Sequence, residues 1–316
     1  MARHRTHPAP NPDPTEGTTT GMPQNPAAHH IPVTTGELTV TAATLDDWQH
    51  VVQWAADEEW NPGLDDAARF HPTDPAGFFV GRRGDTTLSS LSIVNYSAQY
   101  AFLGYYLVHP DHRGRGLGLA TWRAAFPHAG ARTVGLDAVP AQQATYRRAG
   151  FTPVYDTLRY RGRPTRTGTP APPEIVAVTD AHLGALTGYD RRCFPADRSA
   201  FVHRWLTAPG HTARAYVHDG AIAGYGVIRP ARTGHRIGPL FADTPQAAEA
   251  LFDALTAAVD PAAEVFLDVP GPRHAAHALA TAHDLTPRSH TVRMYTGQVP
   301  PADHHRTFAV TSLELG

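Results

Sequence analysis

The order of apolar and polar positions along the chain predicts strands that alternate with helices. In the first half, residues 87–94 alternate in polarity and residues 101–108 are almost continuously apolar, two patterns typical of strands inside a sheet. Helical periodicity follows over about residues 117–126 and 141–149, with a short strand over residues 133–137 between them. This alternation predicts an α/β (α+β) fold built on a mixed sheet.

The two halves of the chain repeat the same order of features, which predicts a tandem duplication. Each half opens with a short apolar strand followed by a helix, and each later carries a Leu-Asp strand end, at 136–137 and at 267–268. A helical run and a final strand containing arginine and tyrosine then close each half. With the Pro-, Gly- and Thr-rich stretches as boundaries, we predict a disordered tail over residues 1–35, a first domain over 36–162, a linker over 163–173 and a second domain over 174–316.

The segment over residues 108–118 has the pattern of an anion-binding loop. An apolar strand is stopped by Pro110, and three alternating glycines, Gly114, Gly116 and Gly118, lead into a helix. Glycines allow a tight turn with inward-pointing NH groups, and the start of the helix adds a partial positive charge that favours a phosphate. Arg113 and Arg115 supply further charge. The dinucleotide fingerprint G-x-G-x-x-G does not fit this spacing, and the absence of lysine excludes a P-loop.

Arg113, Gly116 and Gly118 form the pattern R-x-x-G-x-G, and with it the segment resembles motif A of the GCN5-related N-acetyltransferases (GNAT). Tyr146, in Y-x-x-x-G-F, is similar to the tyrosine of that family that protonates the departing thiolate. The family's usual asparagine seven residues earlier is Val139 here. Further motifs in both halves resemble a bacterial subgroup with two fused domains. The resemblance implies two tandem GNAT-like domains, each a mixed, mostly antiparallel sheet flanked by helices.

The same resemblance implies an acyl-CoA donor, acetyl-CoA or another, and assigns site residues to it. The loop residues Arg113, Gly114, Arg115, Gly116, Leu117 and Gly118 would hold the pyrophosphate. We expect the strand before the loop to splay from residues 133–137, so that backbone groups of Leu107 and Val108 pair with the pantetheine arm. Tyr146 would be the acid. The base is left open between Glu58, Glu59 and Asp137. Candidates for the acceptor pocket are Glu58, Trp60, Asn61 and Asp66.

The second half is predicted to have lost the donor site. We place the counterpart of the loop at residues 235–243, where a single glycine remains and Pro239 removes an NH group. The position that corresponds to the tyrosine falls on Ala280. The second half would then form a wall of the acceptor cleft. Its residues Arg198, Trp205, Tyr225 and Arg229 would either contact the acceptor or belong to the interface and core.

Composition narrows the function further. The chain has 316 residues, a net charge of −2, and no lysine among its 27 basic residues, which excludes pyridoxal and kinase chemistry. Cys193 is the only cysteine, so no internal disulfide or thiolate zinc cluster can form. We expect a cytoplasmic protein with no membrane segment and no metal site, since the histidine pairs at 29–30 and 304–305 lack companion carboxylates.

The function predicted from these features is N-acylation of a small-molecule amine by direct attack on the thioester of an acyl-CoA. Two alternatives stay open at this stage. An aminoacyl-tRNA could be the donor, as suggested by the four arginines between Arg159 and Arg166, although nucleic acid is otherwise not expected. The protein could also be a non-catalytic acyl-CoA sensor. We expect either a monomer whose two domains mimic a dimer or a weak homodimer.

Overall fold

The computed structural model describes residues 33–35, 38–165 and 170–316. Most of the predicted tail, and residues 166–169 of the predicted linker, lie outside the described residues. Val33–Thr35 form a strand, β1, that pairs antiparallel with the next strand. The backbone pairing at this edge of the sheet extends the first domain toward the N-terminus.

The elements follow the predicted alternation of strands and helices. The first half contains β2 (Leu38–Ala42), α1 (Leu45–Asp57), α2 (Asp66–Phe70), β3 (Phe78–Arg83), β4 (Thr86–Asn95), β5 (Tyr100–Val108), α3 (Leu117–Ala125), β6 (Thr133–Ala138), α4 (Gln143–Arg148) and β7 (Thr152–Gly162). The second half contains β8 (Ile175–Ala177), α5 (Asp180–Cys193), α6 (Ser199–Leu206), β9 (Thr212–His218), β10 (Ala221–Pro230), β11 (His235–Ala242), α7 (Pro245–Thr256), β12 (Val265–Pro270), α8 (His274–Ala282), β13 (Thr286–Tyr295) and β14 (Thr307–Ala309).

Helix α1 shows how the sequence sets these elements locally. Thr44 accepts a hydrogen bond from the NH of Asp47, whose carboxylate accepts from the NH of Thr44, and this capping box fixes the start of the helix. Trp48, Val51 and Ala55 recur at helical spacing and are fully buried. The helix therefore packs this face against the sheet and brings its C-terminal end to the edge of the cleft described below.

All strands join one continuous sheet in which the two halves exchange their last long strands. The order along the sheet is β1-β2-β3-β4-β5-β6-β13-β7-β12-β11-β10-β9-β8, and β14 pairs with β11. Strand β13 of the second half therefore lies between β6 and β7 of the first half, and β7 lies beside β12 of the second. The described pairings are antiparallel except β5 with β6 and β11 with β12. The fold is mixed and mostly antiparallel, as predicted, but the two halves share one sheet.

The exchanged strands carry two equivalent buried ion pairs. Arg293 of β13 is opposite Asp137 of β6, and Arg159 of β7 is opposite Asp268 of β12. Each guanidinium binds both oxygens of its partner carboxylate, at 3.0 and 2.6 Å for the Asp137 pair and at 2.7 and 3.0 Å for the Asp268 pair. The repeated Leu-Asp and Arg-Tyr motifs of the sequence thus meet each other across the two halves.

A shared core reinforces the contact between the halves. The ring of Phe70 in α2 stacks on Phe201 in α6 at 4.7 Å and lies 5.1 Å from Trp205. Arg229 lies over the ring of Trp205 and pairs with the buried carboxylate of Asp66 at 2.8 Å. Asp66 was a candidate for the acceptor pocket, and that prediction is wrong because Arg229 occupies its carboxylate.

The open alternatives for the second half are settled in the same way. Arg198 binds Asp190 through two hydrogen bonds of 2.9 and 2.8 Å, and Tyr225 donates its hydroxyl proton to the same carboxylate. These side chains are buried, as are those of Arg229 and Trp205. All four candidates on the second half therefore belong to the interface and core, and none contributes to the cleft that holds the other predicted residues.

Candidate active site

Strand β5 separates from β6 at the point where the site begins. The parallel pairing of the two strands ends at Phe102 and Gly135, after which β6 pairs with β13 on its other side. A bulge in β5 at this point places Tyr105 at φ 47°, and its carbonyl accepts a hydrogen bond from Ser90 at 2.8 Å. Bulges increase local twist and re-aim the strand. The predicted splay is confirmed, and it leaves one side of residues 103–108 without a parallel neighbour.

The glycine-rich loop follows directly from β5. Gly114 and Gly116 have φ of 73° and 78°, which favours glycine, and a Cβ at either position would meet no atom within 4 Å. Gly118, on the first turn of α3, is a glycine for another reason. A Cβ there would lie 2.8 Å from the hydroxyl of Tyr106 and 3.1 Å from Val108, so the glycine lets α3 pack closely on β5.

The amides of this loop are available to a ligand. Within the described chain, the NH groups of residues 114–119 have no hydrogen-bond acceptor; the first NH of α3 to be bonded is that of Ala120, which donates to Gly116. Unpaired amides at the start of a helix, together with its dipole, form a binding site for an anion. The loop therefore has the geometry that the sequence pattern predicted.

The two arginines of the loop have different surroundings. The Arg113 side chain donates from Nε to the carbonyl of Val108 at 3.1 Å and from Nη2 to Glu58 at 2.5 Å. The carbonyl of Val108 therefore already accepts one hydrogen bond, and Glu58, predicted to contact the acceptor, pairs with Arg113. Arg115 is exposed and does not line the cleft.

One cleft of roughly 1220 Å³ brings the remaining predicted residues together. Its donor side contains the loop and the predicted acid. Its other side contains residues from the end of α1 and from the second half, including Thr233, Phe266 and His290. The predicted residues that line the cleft are Glu58, Glu59, Trp60, Asn61, Leu107, Val108, Arg113, Gly114, Gly116, Leu117, Gly118, Asp137 and Tyr146.

Tyr146 has the properties required of an acid. Its ring packs near Trp122 and Phe151, with centroids 6.1 and 6.0 Å away, while its hydroxyl forms no hydrogen bond among the described residues. Burial raises the pKa of Tyr146, and the neighbouring Tyr106 adds to the rise, so the hydroxyl keeps its proton near neutral pH. The tyrosine thus combines a packed ring with a proton that can be donated into the cleft.

The predicted acceptor residues have mixed outcomes. The amide of Asn61 donates to the carbonyl of Thr233 at 2.9 Å and accepts from its NH at 3.0 Å, so its role is to clasp the second half. The carbonyl of Trp60 accepts from Arg159 and Arg236, and its ring lies 6.3 Å from that of Tyr105. Glu59 is exposed at the rim, and its carboxylate forms no hydrogen bond with the described residues.

Asp137, the second candidate base, is bound on both oxygens by Arg293, and its side chain has no exposed surface. Burial raises the pKa of Asp137, and the attraction of Arg293 opposes that rise. A carboxylate that already accepts two hydrogen bonds from a guanidinium has little capacity to take a proton from a ligand. The geometry favours a structural role for Asp137.

In the second half, the corresponding gap between two separating strands is occupied by another strand. Strands β11 and β12 separate after Ile237 and Leu267, and β14 pairs with β11 beyond that point. The strand-to-helix turn consists only of Asp243 and Thr244, and the Thr244 side chain accepts the NH of Ala247 at 3.2 Å. Residues 235–242 are strand, so the predicted position of the second loop was wrong, and the described turn contains no glycine.

The position in the second half that corresponds to Tyr146 is the one that the sequence indicated. The NH of Phe151 donates to the carbonyl of Tyr146, and the NH of Leu285 donates to Ala280, both at 3.0 Å. Ala280 is therefore the structural equivalent of Tyr146. With the turn shortened and the splay filled, the second half lacks both donor-side features.

Sequence reasoning missed one carboxylate of the cleft, Glu314, which belongs to the second half and is only 4% exposed. No local motif marks it, because Glu314 reaches the cleft only through the path of residues 310–316. Apart from the cleft, ligand atoms of Glu249, Asp253 and His283 lie within 4.8 Å of one another. They are the one such group among the described residues, and the prediction of no metal stays a prediction. No helix in the described part of the chain could cross a membrane.

Comparisons with known proteins agree with this geometry. Residues 43–151 match the acetyltransferase (GNAT) family and residues 186–309 match an acetyltransferase (GNAT) domain. The chain is 33% identical over 279 residues to holothin acyltransferase of Pseudoalteromonas sp. (strain SANK 73390), which covers 87% of this chain and 93% of the relative. This chain belongs to the GNAT family. It is an acyltransferase with two GNAT domains in tandem, as the motifs predicted.

Solved GNAT structures share the fold of both halves. A putative acetyltransferase from Pyrococcus horikoshii has a TM-score of 0.74 at 20% identity, covering 92% of this chain and all of that chain. A tandem GNAT protein from the clavulanic acid biosynthesis pathway has a TM-score of 0.62 at 20% identity, covering 83% of this chain and all of that chain. At these identities the likeness concerns the fold alone.

Proposed function

We propose that this GNAT protein transfers the acyl group of an acyl-CoA, with acetyl-CoA as the first donor to test, to the amine of a small molecule. The observation that carries the proposal is the run of unpaired amides over residues 114–119, next to the splayed end of β5. Such amides at a helix start suit the pyrophosphate of the donor. The open side of β5 suits its pantetheine arm, with Leu107 still a candidate for pairing.

The chemistry requires three groups around the thioester. The amine nitrogen attacks the carbonyl carbon, the C–N bond forms and the C–S bond breaks. Tyr146 donates its hydroxyl proton to the departing sulfur, and a base accepts the proton of the amine. The Tyr146 hydroxyl is protonated at neutral pH and so can supply the proton to the departing sulfur, although the burial that raises its pKa also makes it a weaker acid than an exposed tyrosine.

The acceptor is proposed to bind on the side of the cleft where the two halves meet. Glu59, Trp60 and Thr233 line that side together with Phe266 and His290 of the second half. The mixture of apolar and polar groups is typical of a pocket for a small molecule. Holothin is named by the relative at 33% identity and is therefore the first acceptor to assay.

Donor binding is tested by titrating acetyl-CoA into the wild type and into the double variant Arg113→Ala, Gly116→Trp in a calorimeter. We expect a dissociation constant on the order of micromolar for the wild type and binding at least about tenfold weaker for the variant. Gly84→Trp is the matched control, because Gly84 also has a positive φ of 56° and open space around it but lies outside the cleft. Equal binding by all three proteins would refute the proposal.

Transfer is tested by thiol release from acetyl-CoA with holothin and a panel of primary amines. Replacing an acid in the transition state commonly reduces the rate by about 10² to 10⁴. Tyr146→Phe should therefore reduce kcat by at least about 100-fold while leaving acetyl-CoA binding unchanged. Turnover by the wild type that the variant loses would rule out a sensor without catalytic activity.

The arginine run that suggested an aminoacyl-tRNA donor is largely occupied. Arg159 binds Asp268, Arg161 binds Glu264 at 2.6 Å, and Arg163 donates to the carbonyl of Ala262. Arg166 lies outside the described residues. The alternative predicts donor binding that weakens steeply with salt, because each neutralised phosphate releases counterions. Acetyl-CoA turnover that is insensitive to added tRNA would eliminate it.

A further inference from the structure

Residues 310–316 run from the place where β11 separates from β12 to the place where β5 separates from β6. A Cβ at Gly238 would lie 2.5 Å from the carbonyl oxygen of Thr311, and a Cβ at Gly104 would lie 1.7 Å from that of Glu314. Both positions require glycine because this segment crosses β11 and then β5 at contact distance. Tyr96 holds the far end by donating its hydroxyl proton to the carbonyl of Leu315 at 2.7 Å. The second half thereby delivers its own residues to the first half's reaction cleft.

Glu314 is the carboxylate that this segment brings to the cleft. Its Oε2 accepts a hydrogen bond from the hydroxyl of Ser312, which fixes the side chain. Its Oε1 lies 3.9 Å from Arg159 and 3.8 Å from Arg236, beyond hydrogen-bond distance, and accepts no hydrogen bond from the described residues. One oxygen is therefore held in place while the other has free lone pairs.

The other carboxylates that line the cleft lack this combination. Glu58 is bound to Arg113, Asp137 is bound on both oxygens by Arg293, and Glu59 is exposed to solvent at the rim. A base acts best when it is positioned and removed from bulk water, because water otherwise competes for its proton. Among these four, Glu314 alone is buried, fixed and still able to accept a hydrogen bond.

We propose that Glu314 is the base that accepts the proton of the acceptor amine, an inference that rests on the proposed acyl transfer. As the C–N bond forms, the N–H proton moves to Oε1 of Glu314, and the proton of Tyr146 moves to sulfur. After release of the amide and the thiol, Glu314 returns its proton to solvent and Tyr146 regains one. The two halves would then divide the catalytic work, with the acid supplied by the first half and the base by the second.

Charged and titratable groups surround Glu314 from every neighbouring strand. The two arginines and Asp268 balance it in a buried network of four charges, because Arg159 and Arg236 both also bind Asp268. Neutralising Glu314 leaves one excess positive charge in that network. The groups that face it are Tyr105 of β5, Asp137 of β6, Arg159 of β7, Arg236 of β11 and Asp268 of β12.

The test compares Glu314→Gln, Glu314→Asp, Glu59→Gln and the control Glu174→Gln in acetyl-CoA binding and in acyl transfer to holothin and the amine panel. We expect kcat to fall by at least about 100-fold in Glu314→Gln and about tenfold in Glu314→Asp. Acetyl-CoA binding should stay unchanged in all four variants, and Glu174→Gln, whose carboxylate lies outside the cleft, should stay within about twofold of the wild type in kcat. The residual kcat of Glu314→Gln should rise in proportion to hydroxide, a change that a purely structural role would not produce.

The outcomes separate this inference from the proposed function. If the wild type transfers no acyl group to any amine, the proposed function fails and the inference fails with it. If the wild type is active and Glu314→Gln retains its kcat, only the inference is overturned. Glu314→Asp keeps the charge network neutral, so it decides the question if the glutamine variant does not fold. A wild-type kcat in the aspartate variant would overturn the inference, as would a 100-fold loss in Glu59→Gln alone.

Discussion

Replacing Asp137 by asparagine tests whether this strand end, which is repeated in the second half, acts in the reaction or in the fold. The Arg293 guanidinium donates to both Asp137 oxygens and lies over the rings of Phe102 and Tyr155, at 4.9 and 5.9 Å from their centroids. Its side chain is 6% exposed, so water cannot replace the lost carboxylate. Breaking a buried ion pair on one side commonly costs about 3–5 kcal/mol.

We therefore expect Asp137→Asn to lower the free energy of unfolding by about 3–5 kcal/mol. Burial raises the pKa of Asp137 against the pull of Arg293, which indicates that desolvation offsets much of the attraction within the intact pair. The double variant Asp137→Leu, Arg293→Met should for that reason lose much less stability than the single variant. Urea unfolding followed by tryptophan fluorescence measures both values.

The same variant decides the catalytic question. If Asp137 is structural, the folded fraction of Asp137→Asn should keep its acetyl-CoA turnover within about an order of magnitude. A variant that unfolds at the wild-type urea concentration but loses turnover by more than about 100-fold would refute our reasoning. In that case Asp137 would be the base, and the ion pair would be secondary.

Three further changes test the roles assigned by the structure. Asn61→Ala removes two hydrogen bonds to Thr233, so it should cost about 1–3 kcal/mol of stability and leave the acceptor KM unchanged in the thiol-release assay. Asp268 is buried, but Arg159 and Arg236 lower its pKa to about 2, so its ion pairs stabilise the fold above its unfolded pKa near 3.8. Asp268→Asn should accordingly be less stable than the wild type at pH 7. The difference in urea midpoint between the two proteins should narrow as the pH falls through about 2, and a difference that stays constant with pH would contradict this. Thr244→Ala removes the N-cap of α7 and should cost about 1 kcal/mol without changing acetyl-CoA affinity, whereas any loss of affinity would mean that the second half binds the donor.

Local chemistry explains what could be predicted from the sequence. The loop with Gly114 and Gly116 needs positive φ values that glycine adopts, and a helix follows within a few residues, so its geometry is encoded where it forms. Tyr146 is recognised in the same way, because its motif contains the helix end and the turn at Gly150. The duplication is visible too, since each copy keeps its own strand and helix pattern. Thirteen of the predicted site residues line one cleft.

What only the tertiary structure decided involves partners far apart in the chain. Asp137 and Arg293 are 156 positions apart, and Tyr96 and Leu315 are 219 apart. The exchange of strands between the halves brings these residues together. A periodic hydrophobic pattern does not specify which half a strand pairs with. Asn61 and Asp66 therefore looked like site residues in sequence, although the second half occupies their polar groups.

The sequence by itself determined the glycine-rich loop, the motif around the tyrosine and the repeated fold, because backbone conformation at glycine and hydrophobic periodicity are local properties. The tertiary structure decided which carboxylates are consumed in close ion pairs and which buried one keeps an oxygen that can still accept a hydrogen bond in the cleft. That selection depends on how buried charges are paired, since a guanidinium removed from water binds whatever carboxylate the strand order brings opposite it. Glu314 is the residue for which this difference has the largest consequence.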